Sequence, residues 1–129
     1  MKPQFRNVDL EIESASKLDL IAAAMGKQVV VLYSGPASKR RRHLLALESS
    51  RFHKGPDATI HELCAVVEKL SPEARCKWDA ARKQFDVGHE LRSSERSSQF
   101  SLRPDTLQRI ATLGATLKVT YYRGDITDA

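Results

Sequence analysis

Val8-Asp9-Leu10-Glu11-Ile12-Glu13 alternates without a break, with Val8, Leu10 and Ile12 on one side and three carboxylates on the other. A period of two belongs to a β-strand with one face in a core and the other toward water. Three acidic groups along one strand face repel one another unless cations lie across from them. Opposite charges across a strand pair contribute a few tenths to about 1 kcal/mol. The stretch therefore predicts an antiparallel sheet and asks for a basic neighbour.

Such a neighbour follows. The formal net charge is +5, and the interval Pro36–Pro56 holds six of the 21 cations (Lys39, Arg40, Arg41, Arg42, Arg51, Lys54) and one of the 16 anions, Glu48. The rest of the chain carries fifteen of each and sums to zero. One reading is a solvated hairpin tip followed by an exposed strand whose charges pair with Asp9, Glu11 and Glu13. The other is an anion-binding patch, with Lys39, Arg40, Arg41, Arg42, Arg51 and Lys54 as partner-binding residues for an acidic protein surface, a phosphate ligand or nucleic acid. Phe52, between Arg51 and Lys54, is the one Phe, Tyr or Trp among these cations, and no recognisable RNA- or DNA-binding module occurs.

Outward from the first strand, Ser16 and Asp19 resemble a capping box, and Leu18, Ile21, Ala22 and Met25 keep helical spacing until Gly26 stops it. Val29–Tyr33 is a continuous apolar, β-rich run, which predicts a strand covered on both faces and broken by Ser34-Gly35-Pro36. His43–Ser49 reads as another strand, with Leu45 and Leu47 on one side, and Arg51–Pro56 as a loop. A helix opening at Asp57 or Thr59 buries Ile60, Leu63, Cys64, Val67 and Leu70. Ser71-Pro72 then starts a second helix presenting Ala74, Trp78 and Ala81, and the two helices form a hairpin with a short joint. Phe85, Val87, His89 and Leu91 alternate as a strand, Ser93–Ser98 is a polar loop, and Gln99–Leu102 reads as a short strand. Pro104–Leu113 is a helix with Leu107, Ile110 and Ala111 inward. Ala115–Tyr122 is a final strand, and Gly124–Ala129 is expected to fray.

The segments 8–35 and 99–124 each place a helix closing on Gly before a strand that ends in aromatic-x-Gly. The expected fold is therefore α+β: one domain over residues 1–129, a mostly antiparallel sheet with packed helices, and two related β-α-β units flanking a helical hairpin at 57–83.

The run Phe100-Ser101-Leu102-Arg103-Pro104-Asp105-Thr106-Leu107, then Ile110-Ala111-x-Leu113-Gly114-Ala115-x-Leu117-x-Val119-x-Tyr121, resembles the ending of a group of small bacterial proteins known only as a domain of unknown function, the four-two-seven-nine group. The resemblance implies a bacterial, cytoplasmic α+β domain without established catalytic residues. Members of that group resemble small proteins found beside polymorphic toxin genes, some of which act as immunity factors.

At 129 residues with 41% apolar and 29% charged side chains, the chain is long enough to bury a core and too apolar to stay disordered. No apolar run approaches the ~20 residues that span a bilayer. Met1–Asn7 carries no apolar stretch, so no secretory signal is expected. Cys64 and Cys76 form no CxxC, and they read as one inward and one outward free thiol in a reducing cytoplasm. Neither a metal nor a cofactor is expected. His61 and Cys64 share a helix, but Ala65 stands where HExxH needs its second histidine. Asp86 and Glu90 on one strand face, with His89 or His61, are the only candidates for acid–base chemistry, while His89 among apolar neighbours reads as a core residue. The composite expectation is a non-catalytic protein-interaction domain, of which an immunity-type inhibitor is one form. The alternatives are an electrostatic nucleic-acid binder using the 39–54 segment and an enzyme of unrecognised type.

Overall fold

The computed structural model describes residues 5–38, 41–51, 55–91 and 99–123. The elements run β1 (Phe5–Ser14), α1 (Asp19–Met25), β2 (Val29–Pro36), β3 (His43–Ser49), α2 (Pro56–Glu68), α3 (Pro72–Ala80), β4 (Arg82–Leu91), α4 (Pro104–Thr112) and β5 (Thr116–Arg123). The fold is α+β, with a five-stranded sheet in the order β2-β3-β1-β4-β5. Every neighbouring pair is antiparallel except β4 and β5, which are parallel. Two antiparallel steps separate β1 from β2, so β1-α1-β2 and β4-α4-β5 both join strands of the same direction. The first four strands have the split β-α-β order of ferredoxin-like sheets, with α4 and β5 added at one edge.

The alternating stretch is the middle strand. Val8, Leu10 and Ile12 are fully buried, while Asp9, Glu11 and Glu13 lie half-buried on the opposite face. The buried residues of β1, Leu45 and Leu47 of β3, and Phe85 and Val87 of β4 form one core with Ile21, Ile60, Leu63, Cys64, Val67, Trp78 and Ile110 of the helices. The helices thus cover one face of the sheet and leave the carboxylate face open.

Helix starts follow local chemistry. Ser71 caps α3 by accepting from the Ala74 N–H at 3.2 Å, with Pro72 at the first helical position. Leu18 rather than Ser16 precedes α1, and it makes no side-chain cap; the Ser16 N–H instead bonds to Ser14 Oγ at 3.1 Å. α2 begins at Pro56, one residue before the earlier of the two expected starts. Lys83 closes α3 by donating to the carbonyls of Trp78 and Ala81 at 3.0 and 3.1 Å, where the helix dipole favours a cation. α2 packs mainly on β1 and α4, and α3 mainly on α1, with Lys69–Ser71 as the short joint between α2 and α3.

Four further expectations are corrected. Val29–Tyr33 is not covered on both faces: β2 is an edge strand, and only Val29 is buried. A continuous apolar run cannot by itself distinguish a central strand from an edge. Gln99–Leu102 forms no strand; Phe100 and Leu102 pack against the core from an irregular segment, and the strand that enters the second β-α-β unit is β4. On α4 the inward residues are Thr106 and Ile110, continued by Leu113 beyond the helix, while Leu107 is 48% exposed and Ala111 is exposed. Leu91, expected on the buried side of β4, is also exposed. The loop 93–98 and the tail 124–129 lie outside the described residues. Cys64 is buried, Cys76 is exposed and both are free.

Trp78 is fully buried and donates Nε1–H to the Leu113 carbonyl at 2.9 Å, tying α3 to the end of α4. Trp78→Phe leaves that carbonyl unpaired and a void beside it. It should lower unfolding stability by roughly 2–3 kcal/mol in urea denaturation, whereas Leu107→Ala should cost less than about 1 kcal/mol.

Candidate functional site

The predicted cationic residues do not converge. Arg41 and Arg42 close the β2–β3 hairpin, where the Ala37 N–H donates to the Arg42 carbonyl at 2.9 Å. Arg51 follows β3 at its other end, nine residues further on, roughly 30 Å away at ~3.4 Å per residue. Arg42 Nε donates to Glu13 at 2.7 Å, so the expected pairing with the acidic strand holds at this position. Arg51 reaches Glu62 of α2 at 3.2 Å while its side chain stays 75% exposed. Arg41 is exposed and forms no ion pair among the described residues. Its φ of +59° lies in the left-handed region, where a side chain costs about 1 kcal/mol relative to glycine. Lys39, Arg40 and Lys54 lie outside the described residues.

Beside this tip runs the exposed edge. Val30, Val31, Leu32 and Tyr33 are 45, 46, 47 and 43% exposed. A register shift between Val31 and Tyr33 makes Leu32 the extra residue of a bulge. Val31 pairs with core-facing Leu47, while Val30 pairs with Glu48 of the open face. Leu32 borders a cavity of about 350 Å³ on the open face, beside Asn7, Asp9 and Glu48. Apolar side chains therefore flank the edge on both faces of the sheet. The other edge differs. β5 carries Lys118 and Arg123; its Tyr121 stacks edge-on against His89 at 5.7 Å, and its Tyr122 lies under the Arg6 guanidinium at 5.0 Å.

The open face gathers carboxylates. Asp9 and Asp86 are direct cross-strand partners. Asp86 accepts from Thr120 Oγ1 at 2.7 Å and lies 3.5 Å from Lys118. Glu11 accepts from Gln84 Nε2 at 2.6 Å, and Asn7 donates to Glu48. Burial, then the charges of Glu48, Glu11 and Asp86, push the Asp9 carboxyl up to about 6.

A second polar cluster joins α2 to α4. Arg109 grips Glu68 through two bonds of 2.6 and 3.0 Å and donates to His61 Nδ1 at 2.7 Å. His61 Nε2 faces Asp105 at 3.1 Å, which fits a neutral ring donating to the carboxylate. Arg103 donates its backbone and side-chain N–H groups to Asp57, each at 2.9 Å. The hydrogen bonds from Arg109 hold the Glu68 carboxyl below its ordinary value. This cluster is an ionic clasp between helices.

The acid–base candidates do not assemble. Asp86 and Glu90 stand four residues apart on β4, about 13–14 Å at ~3.4 Å per residue. His89 is buried on the helix-covered side against Phe100, at 5.6 Å between ring centroids, whereas Asp86 faces the open side. Burial raises the Cys64 thiol to about 11, away from the thiolate form, and Cys64 is separated from the open face by the sheet. Among the described residues no group of three or more His, Cys, Asp and Glu side chains is placed to hold a metal ion. No helix among them is long and apolar enough to cross a membrane.

Sequence reasoning missed the exposure of β2, because the signal read as double coverage, a pure apolar run, is shared by unguarded edges. It also missed the opposition of Asp9 and Asp86, which depends on strand order.

Comparison with family models, with curated proteins and with solved structures gives no match.

Asp9 supplies a pH test. Its folded value near 6 lies above the ordinary aspartate value of 3.8, so its charged form destabilises the fold above pH 6, and that penalty fades as pH falls toward 3.8. Asp9→Asn should therefore raise stability at pH 7 by roughly 1–2 kcal/mol after allowance for solvent screening. The gain should shrink to near zero at pH 4 when the two proteins are compared by urea denaturation.

Proposed function

We propose that the chain is a non-catalytic protein-interaction domain whose partner docks along the outer edge of β2 and the basic turn that follows it. The observation that carries this reading is the run Val30–Tyr33, four consecutive apolar side chains each more than two-fifths exposed on a strand whose outer side no described strand covers. Protein edges are ordinarily blunted by charge, proline, a bulge or a covering loop. Here the protection is one bulge and a terminal Pro36, with no charged side chain along the strand. Arg41, held at the tip in a costly backbone conformation, adds a free cation at the strand's end. Lys39 and Arg40 precede it in sequence and extend the positive charge, and an acidic protein surface complements this segment. Arg51, at the far end of β3, would contribute to long-range attraction rather than to the same contact, and Lys54 adds to the charge of that stretch of sequence.

Protein is favoured over nucleic acid by the open sheet face. In RNA-binding sheets of split β-α-β order that face offers aromatics for base stacking. Here its centre holds Asp9, Glu11, Glu48 and Asp86, which repel phosphate. An immunity-type inhibitor is one form such a domain takes, and the resemblance of the C-terminal unit points the same way.

Affinity capture from the source cells, with the intact chain and with Leu32→Lys, tests the reading. A partner retained at low salt, weakened at high salt and lost with Leu32→Lys is expected. Equal recovery by both proteins, or background alone at both salts, would contradict it. Leu32 is 47% exposed, so the substitution should leave the thermal midpoint nearly unchanged.

A further inference from the structure

The charge flanking β2 has one sign at both ends. Lys27 is the last charged residue before the strand and Arg41 the first described one after it; between them Gln28–Ser38 carries no charge. Both are exposed and unpaired among the described residues. Strand addition to this edge by a second copy of the chain would bring cations together in either direction. Antiparallel pairing sets Lys27 against Arg41 at each end, and parallel pairing sets each against its own counterpart. Like charges directly opposite on paired strands are destabilising.

We propose that β2 accepts an extended segment of a partner protein as a sixth strand, apolar and uncharged over four to five residues and carrying carboxylates on both flanks. This rests on the reading of β2 as the docking edge and adds the chemistry of what docks there. Alternate residues of β2 turn their N–H and C=O groups away from β3, so the outer edge offers a ladder to an incoming backbone. Pro36 has no N–H and ends that ladder, leaving Val29–Gly35, about 23 Å at ~3.3 Å per residue. Val31 on the helix side and Val30 and Leu32 on the open side flank the edge together. The incoming strand therefore meets apolar side chains whichever way its own point, which selects an apolar run over a polar–apolar alternation. Beyond Pro36 a shallow cavity of about 450 Å³, bordered by Ser38, Arg41, Arg42 and His43, leaves room for a carboxylate side chain. Arg42 is already held by Glu13, so Arg41 is the cation that meets it.

The test uses the intact chain and four synthetic peptides with the same five-residue Val/Thr centre. One has Asp-Glu at both ends, one has Lys-Lys at both ends, and two are the acidic peptide N-methylated on alternate amides along one edge or the other. Binding is followed by amide resonances, and sedimentation equilibrium of the chain alone reads self-association. The acidic peptide should bind with shifts centred on Val29–Ser34. The lysine-flanked peptide should bind at least tenfold more weakly, and that ratio should shrink as salt rises. One of the two N-methylation patterns should abolish binding, and Arg41→Glu should weaken the acidic peptide while improving the lysine-flanked one. Equal affinity for the two flanks, binding that survives both methylation patterns, or self-association that protects β2 would overturn the proposal. If Leu32→Lys loses the cellular partner while the peptides show no preference between flanks, the docking edge stands and the partner chemistry falls. If Leu32→Lys loses nothing, both fall.

Discussion

The structure depends on the two-sidedness of β1. Val8, Leu10 and Ile12 are fully buried, and the strands on both sides of β1 align with it so that Leu45, Leu47, Phe85 and Val87 share their layer. A one-residue slip would send all three apolar side chains to water and three carboxylates into the core, so the register of the central strands is strongly specified. Everything else follows from which face the helices take. They lie over the apolar side, and the open side is left to Asp9, Glu11, Glu13, Glu48 and Asp86.

That division explains why the basic segment is only partly available. The chain uses Arg42 on Glu13 and Arg51 on Glu62, while Lys118 serves both Glu11 and Asp86. Asp9 is the group the arrangement satisfies least: it sits half-buried opposite Asp86, with Glu48 and Glu11 close by. Arg41 is the described cation of the basic turn that remains outside this neutralisation. The ionic clasp of Arg109 with Glu68 and His61, together with Arg103 on Asp57, consumes charge in joining α4 to α2 and accounts for polar residues that otherwise resemble a site.

Much of the architecture was legible in local pattern. Alternation marked β1 and β3, Ser71-Pro72 marked the start of α3, and the stripe Ile60, Leu63, Cys64, Val67 gave the buried face of α2. What failed were inferences that need neighbours. Val29–Tyr33 has the composition of a central strand, and only the sheet order makes it an edge. On α4, Leu107 and Ala111 fit a helical stripe as well as Thr106 and Leu113 do; the choice is made by where α2 and β5 sit, not by periodicity. Gln99–Leu102 has apolar residues in strand spacing, yet β4 already occupies the position beside β5. The candidate site suffered in the same way. A charge run can be counted in sequence, but its neutralisation by Glu13 and Glu62 requires the folded partners.

The central claim is that the outer side of β2 is an open, unguarded edge in the isolated chain. Residue-resolved amide hydrogen exchange on dilute protein addresses it most directly. The account predicts slow exchange throughout β1 and β3, and in β2 an alternation of slow amides bonded to β3 with fast amides facing outward between Val30 and Gly35. Uniform slow exchange along β2 under those conditions would mean the edge is already covered, and would contradict the account.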